Sequence, residues 1–465
     1  MNNPTQHRSW ILGTRRRVAG AALALAIMLV AAVLPTGSAQ AQTYSVSVLH
    51  SFTGPPDGAA PHADVVEDAQ GNLYGTTGYG GDSACNAPYG CGTAFKLDAS
   101  GNETVLHAFT GPPDGSSPLA EGLVLDAQGN LYGTTYGGGA SNDGTVFKLD
   151  TATGAETVLH SFTGSPDGSS PESGGLTRDA KGNLYGATKQ GGANGYGIVF
   201  KVDASGNESV LYSFTTGGSG PGNLVSVLDA QGNLYGITFI GGDLTCNAPN
   251  GCGTVFKLDT AGNMTVLYAF TGSGGDGANP GKLVLDAQDN LYGGTEYGGD
   301  LSCNSPNGCG TVYKLAPPVP PSVPWTETVL YSFTGGADGY SSGGLMLDAQ
   351  DNLYGGTEYG GDLSCNSPNG CGTVFKLAPP VPPSVPWTET TLYTFTNEAD
   401  GFEAEGGLLD THDNLYVTEE EGGDLSCTTG PGGHGQTLIG CGTVFKLTPA
   451  PCRMYGREGS CRLPH

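Results

Sequence analysis

The sequence predicts an all-β protein: a seven-bladed β-propeller of four-stranded blades, closed by exchange of the N-terminal strand into the last blade. Three observations predict it. A strand of the type Val-Leu-x-x-Phe-Thr starts at Val48 and recurs from Val105, Val158, Val210, Val266, Val329 and Thr391, at spacings of 52 to 63 residues. Each interval holds three more short runs rich in β-branched and aromatic residues, bounded by Gly, Asn, Asp or Pro. No helical period survives in the chain after its first 41 residues.

The second unit displays the order of elements. Gly122 to Asp126 reads as a first strand, Asn130 to Thr135 as a second, Gly144 to Asp150 as a third and Thr157 to Thr163 as a fourth. The turn between the first two is Asp-Ala-Gln-Gly-Asn or a close variant in every unit. Its Asp and Asn bond local backbone and its Gly tolerates positive φ, which makes a tight hairpin. The calcium-loop spacing of Asp and Asn is absent. One such unit cannot bury both faces alone, whereas seven around an axis bury each face against a neighbour. The segment Tyr44 to Thr53 is a lone fourth strand, and the last unit supplies only three, ending with Gly442 to Thr448. Pairing the two would complete the seventh blade.

Residues 1–41 read as an export signal. Arg8 and Arg15 to Arg17 precede the apolar run Val18 to Leu34, and Ala39-Gln40-Ala41 is an A-x-A cleavage site. The remaining organisation is a propeller over 42–450 and a Cys-closed basic tail over 451–465. The whole chain carries a net charge of −26, and loss of four arginines with the signal brings it to −30. Such a surface repels phosphate backbones and argues against nucleic acid as a partner. A glycan, a cation or a surface protein fits better, and a monomer without a membrane span is expected once the signal is cleaved. The location expected is periplasmic, extracellular or on the cell surface.

Twelve cysteines fall in local pairs. Cys85/Cys91, Cys246/Cys252, Cys303/Cys309 and Cys365/Cys371 share a C-x5-C spacing. Cys427/Cys441 is a longer version at the same repeat position, and Cys452 with Cys461 closes the tail. No His accompanies them as zinc ligands would require, so six disulfides in an oxidising compartment are expected.

The run D-A-x-G-N-L-Y-G-T-T, then G-G, then G-T-V-F-K-L, then V-L-x-x-F-T-G resembles the GloVer tandem repeat of choice-of-anchor bacterial exported proteins. The match covers all seven units, about residues 46 to 448. The resemblance implies a secreted or surface-displayed propeller. Such proteins often carry a C-terminal sorting anchor, and here Pro451 to His465 has no apolar stretch. The pattern is also distantly similar to seven-bladed propellers of the NHL and streptogramin lyase type. Units 5 and 6 are nearly identical over Asp286 to Thr328 and Asp348 to Thr390, with only Tyr313 and Phe375 differing. Both contain a proline-rich segment ending at Trp325 and Trp387, read as a stiff polyproline loop.

Little here points to catalysis. Lys96, Lys148, Lys201, Lys257, Lys314, Lys376 and Lys446 recur sevenfold, as do Asp68, Asp126, Asp179, Asp229, Asp286, Asp348 and Asp410. A catalytic site needs one set, so sevenfold recurrence argues for structure. His50, His107 and His160 occupy a repeat position held elsewhere by Tyr212, Tyr268, Tyr331 and Tyr393, and read as packing residues. Gly339 to Gly343 matches G-x-S-x-G, but no helix follows to make a nucleophile elbow. His62, His412 and His434 lie outside the repeat pattern.

Departures from repetition locate a candidate binding face. Five units place an Asp after the Gly-Gly that follows the second strand, and the same five hold the Cys pairs; units 2 and 3 lack both. The expectation is an acidic, disulfide-stiffened loop face with Asp243, Asp300, Asp362 and Asp424 on it and Glu296, Glu358, Tyr297 and Tyr359 just before them. Tyr136, Asn142, Lys189 and Tyr196 would floor the open side at units 2 and 3. Carboxylates beside aromatic rings suit a divalent cation or a sugar. The reading is an exported binding or scaffold module without an obligatory cofactor, a divalent cation being the one candidate. The alternative is a propeller enzyme, a lyase or glycan-active hydrolase, using scattered loop residues.

Overall fold

The structure is a computed structural model that describes residues 44–119, 122–171, 175–215, 224–319, 324–380, 386–396, 400–401, 404–431, 437–450, 453–455 and 460–462. The export signal, His434 and Cys452 therefore lie outside the described residues. Seven antiparallel sheets, mostly of four strands, form the ring of a β-propeller. Blade 2 is typical: Val124–Leu125, Asn130–Thr135, Thr145–Asp150 and Glu156–Ser161 run from the inner to the outer edge. The seventh sheet holds Ala404–Leu409, Leu415–Glu419 and Thr443–Pro449, with Tyr44–Ser51 paired antiparallel to the last of these as the outer strand. Among the described residues no helix is long and apolar enough to cross a membrane.

The recurring residues build each blade. The first-strand Asp caps the hairpin: Asp126 Oδ1 accepts the backbone N–H of Gln128 and Asn130 at 2.9 Å, and its Oδ2 accepts the Asn130 side chain. The Tyr132 hydroxyl donates to the same carboxylate at 3.1 Å. The matching tyrosine does so in every blade, from Tyr74 on Asp68 to Tyr416 on Asp410. In five blades the recurring lysine lies over that tyrosine ring, 4.8 Å from the centroid for Lys446 over Tyr416 and 5.1 Å for Lys376 over Tyr354, and in blade 2 Arg178 lies over Tyr132 instead. Both repeated charges are thus used in folding.

Adjacent blades are joined by aromatic pairs. The Phe that ends each outer strand meets, edge to face, the ring on the third strand of the next blade. Phe52–Phe95, Phe109–Phe147, Phe162–Phe200, Phe270–Tyr313 and Phe395–Phe445 have centroids 5.0–5.3 Å apart. All ten rings are essentially inaccessible to solvent. Trp325 and Trp387, at the ends of the proline-rich segments, lie against Tyr235 and Tyr292 of the preceding blades.

Five disulfides form within their loops: Cys85–Cys91, Cys246–Cys252, Cys303–Cys309, Cys365–Cys371 and Cys427–Cys441. The sixth pair expected from the sequence, Cys452 with Cys461, lies outside the described residues, because Cys452 is not among them. The tail is thus seen as a short antiparallel pair, Arg453–Tyr455 with Ser460–Arg462. A parallel bridge at the foot of each disulfide loop, such as Gly80 to Gly90, brings two backbones into contact. A Cβ on Gly90 would overlap the Gly80 carbonyl oxygen, so this position accepts only glycine.

Candidate binding site at the channel mouth

The loop after the second strand and the connection between blades lie on the same face. Their pairing fixes this: Gly58–Ala59 of the connection into blade 1 bonds to Tyr79–Gly80 after its second strand. The disulfide loops occupy the outer part of that face. Cys427 Sγ stands 3.1 Å from where a Cβ on Gly54 would be, just beyond the outer strand Tyr44–Ser51. The aspartates opening these loops are engaged locally. Asp300 Oδ1 accepts Ser302 N–H at 2.9 Å and Ser302 Oγ–H at 2.7 Å. Asp243, Asp362 and Asp424 do the same with Thr245, Ser364 and Ser426. These hydrogen bonds hold all four carboxyls below the usual aspartate range.

The inner part of the face has different chemistry. Two residues before the Gly-Gly, at the end of the second strand, lies a position that changes character round the ring. It is Gly78, Tyr136, Lys189, Phe239, Glu296, Glu358 and Glu420 in blades 1 to 7. Three consecutive blades therefore present glutamate. Tyr297 and Tyr359 follow two of them and Glu421 the third.

Burial raises the Tyr297 hydroxyl, and Glu296 and the neighbouring blade's Glu358 raise it further. Tyr340 is raised by burial, Glu358 and Tyr297, and it stacks on Tyr359 at 5.0 Å and 30°. Blades 5 and 6 thus share one cluster of two carboxylates and three phenols. At the seam of blades 7 and 1, His62 Nε2 stands 3.0 Å from Glu420 Oε1, whose side chain is 3% exposed. Tyr79 is raised by burial and then by Glu420. Glu419 and Glu421 are buried on either side.

Below the mouth, Lys282 donates its ammonium to Asp64. These residues precede the inner strands of blades 5 and 1, so the pair joins non-adjacent blades across the axis.

On the far side, Tyr136 and Tyr196 are more than a third exposed. Asn142, exposed, uses its Oδ1 to accept the Gly138 N–H at 3.0 Å. Tyr136 and Lys189 share the ring position of the glutamates, whereas Asn142 and Tyr196 belong to the outer loops. The structure thus brings Glu296, Glu358, Tyr297 and Tyr359 together, and separates them from Asp243, Asp300, Asp362 and Asp424. Glu420 and its neighbours Glu419, Glu421, Tyr79 and Tyr340 were not singled out from the sequence. Aligning the seven units on Gly-Gly would have shown the variable column.

Ser341, the serine of G-x-S-x-G, donates to Glu358 Oε2 at 2.8 Å and has φ of 62°. Ala60, Ser117, Ser170 and Asn279 share that backbone conformation at the same place in other blades, so it belongs to the blade connection rather than to a nucleophile.

The model of the Gloeobacter/Verrucomicrobia repeat matches three overlapping stretches, 38–249, 84–304 and 247–455. The chain belongs to that repeat family. No curated protein sequence matches it. Among solved structures it is similar to the oligogalacturonate lyase of Vibrio parahaemolyticus, at 11% identity and TM-score 0.52, covering 88% of this chain and 97% of that one. It is also similar to the extracellular domain of a protein assigned as a hybrid two component system in B. thetaiotaomicron. There identity is 9% and TM-score 0.49, over 87% of this chain and 39% of that one, so this chain spans about two fifths of that domain. The PQQ-bound aldose sugar dehydrogenase of Streptomyces coelicolor follows at 12% identity and TM-score 0.42, over 88% and 98% of the two chains. At these identities the likeness is one of fold alone.

Proposed function

We propose that this is an exported binding propeller whose ligand docks at the channel mouth and carries amino and hydroxyl groups, as an amino-sugar oligosaccharide does. Residues 1–41 act as the export signal, 42–450 as the binding domain and 451–465 as its disulfide-closed tail. The observation carrying this reading is the run of Glu296, Glu358 and Glu420 at one ring position, beside Tyr297, Tyr340 and Tyr359. Carboxylates supply charge-assisted acceptors for ammonium and hydroxyl groups, and phenol faces supply a platform for a sugar ring. The five disulfides support an oxidising location, and the net charge of −26 disfavours nucleic acid.

Calorimetry of the chain from residue 42 onward with a chitosan oligosaccharide, its fully N-acetylated counterpart and calcium chloride tests this. The amino-bearing oligomer should bind in a salt-sensitive manner, and E296Q/E358Q should weaken it about tenfold or more, the loss of about one charge-assisted contact. D300N/D362N should leave it unchanged. Absence of binding by both oligomers, or loss confined to D300N/D362N, would overturn the proposal. One arrangement favours a second, catalytic reading: His62 and Glu420 beside Tyr79 offer acid and base groups at the same mouth. Chain cleavage of a bound oligosaccharide, lost in H62A, would mark that activity.

A further inference from the structure

A second cluster lies at the outer edge of the ring, away from the mouth. His160 is on the outer strand of blade 2, Asp167 on the connection that leaves it, and Glu208 on the outer strand of blade 3. One imidazole nitrogen and one oxygen from each carboxylate lie within 4.8 Å of one another. We propose that this seam binds a divalent transition cation of the zinc type through His160, Asp167 and Glu208, stapling blade 2 to blade 3.

The geometry is close to what such an ion needs. Nitrogen and carboxylate ligands sit about 2.1 Å from a tetrahedral zinc, which places any two of them about 3.4 Å apart. His160 Nε2 and Asp167 Oδ2 are already 3.2 Å apart. From the 4.8 Å bound, Glu208 has to move by at most about 1.4 Å to reach the ligand spacing of about 3.4 Å. Its Oε1 is buried and makes no hydrogen bond among the described residues, so a partner there would replace an unmet acceptor. A water from the open side completes four ligands.

The other two ligands are held in advance. The Phe162 ring meets the His160 imidazole edge to face at 4.8 Å and 81°, which fixes its plane. Asp167 Oδ1 accepts the Gly168 N–H at 2.8 Å, and Oδ2 accepts the Thr163 N–H at 3.1 Å. Such outer contacts orient ligands in metal sites.

Two other seams hold the same residue types, His50, Asp57 and Glu103, and His107, Asp114 and Glu156, and of the three seams only that of His160 brings its ligand atoms within 4.8 Å. The seams with tyrosine provide contrasts. Tyr331 takes the place of the histidine on blade 5, where Asp338 and Glu389 are kept, and its hydroxyl donates to Asp338 at 2.9 Å. Tyrosine at this position therefore preserves the hydrogen bond to the aspartate while removing the nitrogen ligand. This makes His160→Tyr a substitution the fold already accepts.

The experiment is zinc binding to metal-stripped protein from residue 42 onward, read by calorimetry and by metal content after desalting, with magnesium as the contrasting ion. The wild type should retain at least one equivalent of zinc and no magnesium. H160Y should lose one equivalent while its metal-free melting temperature stays near that of the wild type. E208Q, which leaves the His160–Asp167 hydrogen bond intact, should lower the zinc affinity at least tenfold. If the wild type takes up no saturable zinc, or if both variants bind it as the wild type does, the triad is a hydrogen-bonded strut and the proposal is wrong. If H160Y misfolds, E208Q alone decides.

Discussion

If the N-terminal strand fastens the ring as firmly as an internal strand fastens its blade, Phe52 and Phe162 should be equivalent. Both end an outer strand, both are completely buried, and each meets the ring of the following blade at 5.1 Å. Each also donates its backbone N–H at 3.0 Å, Phe52 to Gly442 and Phe162 to Gly144. Truncating either to alanine removes a buried aromatic side chain and leaves a cavity, at about 3–5 kcal/mol. The edge-to-face contact accounts for about 0.5–1.5 kcal/mol of that. The two differ only in how their strands are tethered. Phe162 is continuous with three strands of its own blade, whereas Phe52 follows a segment whose sheet contact is Thr443–Pro449. A clasp that frays would already have surrendered part of the Phe52 contact, and F52A would then cost less. Guanidinium unfolding followed by circular dichroism and by Trp325 and Trp387 fluorescence measures both. Equal losses, agreeing to about 1 kcal/mol, are expected. A loss below about 1 kcal/mol for F52A beside a full loss for F162A would refute the reasoning, because a buried, well-anchored phenylalanine cannot be removed so cheaply.

Three further outcomes are expected. Tyr313 stands where the other six blades have Phe, and its buried hydroxyl has no partner among the described residues, so Y313F should raise stability by about 1 kcal/mol in chemical denaturation. Glu327 and Glu389 are pushed up to about 7, first by burial and then by Asp276 and Asp338 respectively. Their folded values lie above the unfolded one, so their stabilising contribution is complete below about 4.5 and is lost as pH rises through about 7. The melting temperature should fall across that window, and E327Q/E389Q should flatten the fall; a slope identical to the wild type would count against the assignment. Replacing Cys365 and Cys371 by Ala should cost about 2–3 kcal/mol in the chain-entropy model, measured by thermal melting, with peptide mapping showing the other loop disulfides unchanged.

The fold was legible because the forces that build a blade recur with the blade. Asp126, Asn130, Tyr132 and Lys148 are local in sequence, and their spacing states their contacts. The aromatic seam was legible only as a repeated Phe, since which ring meets it depends on the pitch of the next blade. The same limit applied to His160 and Asp167: their recurrence could be read, but their meeting depends on how the connection curls back. At the mouth, Glu296 and Glu358 were visible as acids beside tyrosines. The separation of these glutamates from Asp300 and Asp362 was not, because four residues of loop decide whether a carboxylate meets the tyrosines of its own and the neighbouring blade or caps its own turn.

Two of the three mouth glutamates are a single observation. Glu296 and Glu358 lie inside the nearly identical segments of units 5 and 6, so a duplication copied the second from the first together with its tyrosine, its Asp cap and its disulfide loop. Glu420 is different. It stands in Val417-Thr-Glu-Glu-Glu, a context shared by no other unit, and its partner is His62. Acid at this ring position therefore arose in two sequence backgrounds on one side of the axis. The same position is glycine, tyrosine, lysine and phenylalanine on the other side. Packing alone would have favoured one residue at a position repeated in every blade, as it did for the Phe at the seams. On the proposed function, a half-ring of carboxylates opposite a half-ring of uncharged and basic side chains would suit a ligand with one cationic end and would orient it across the mouth.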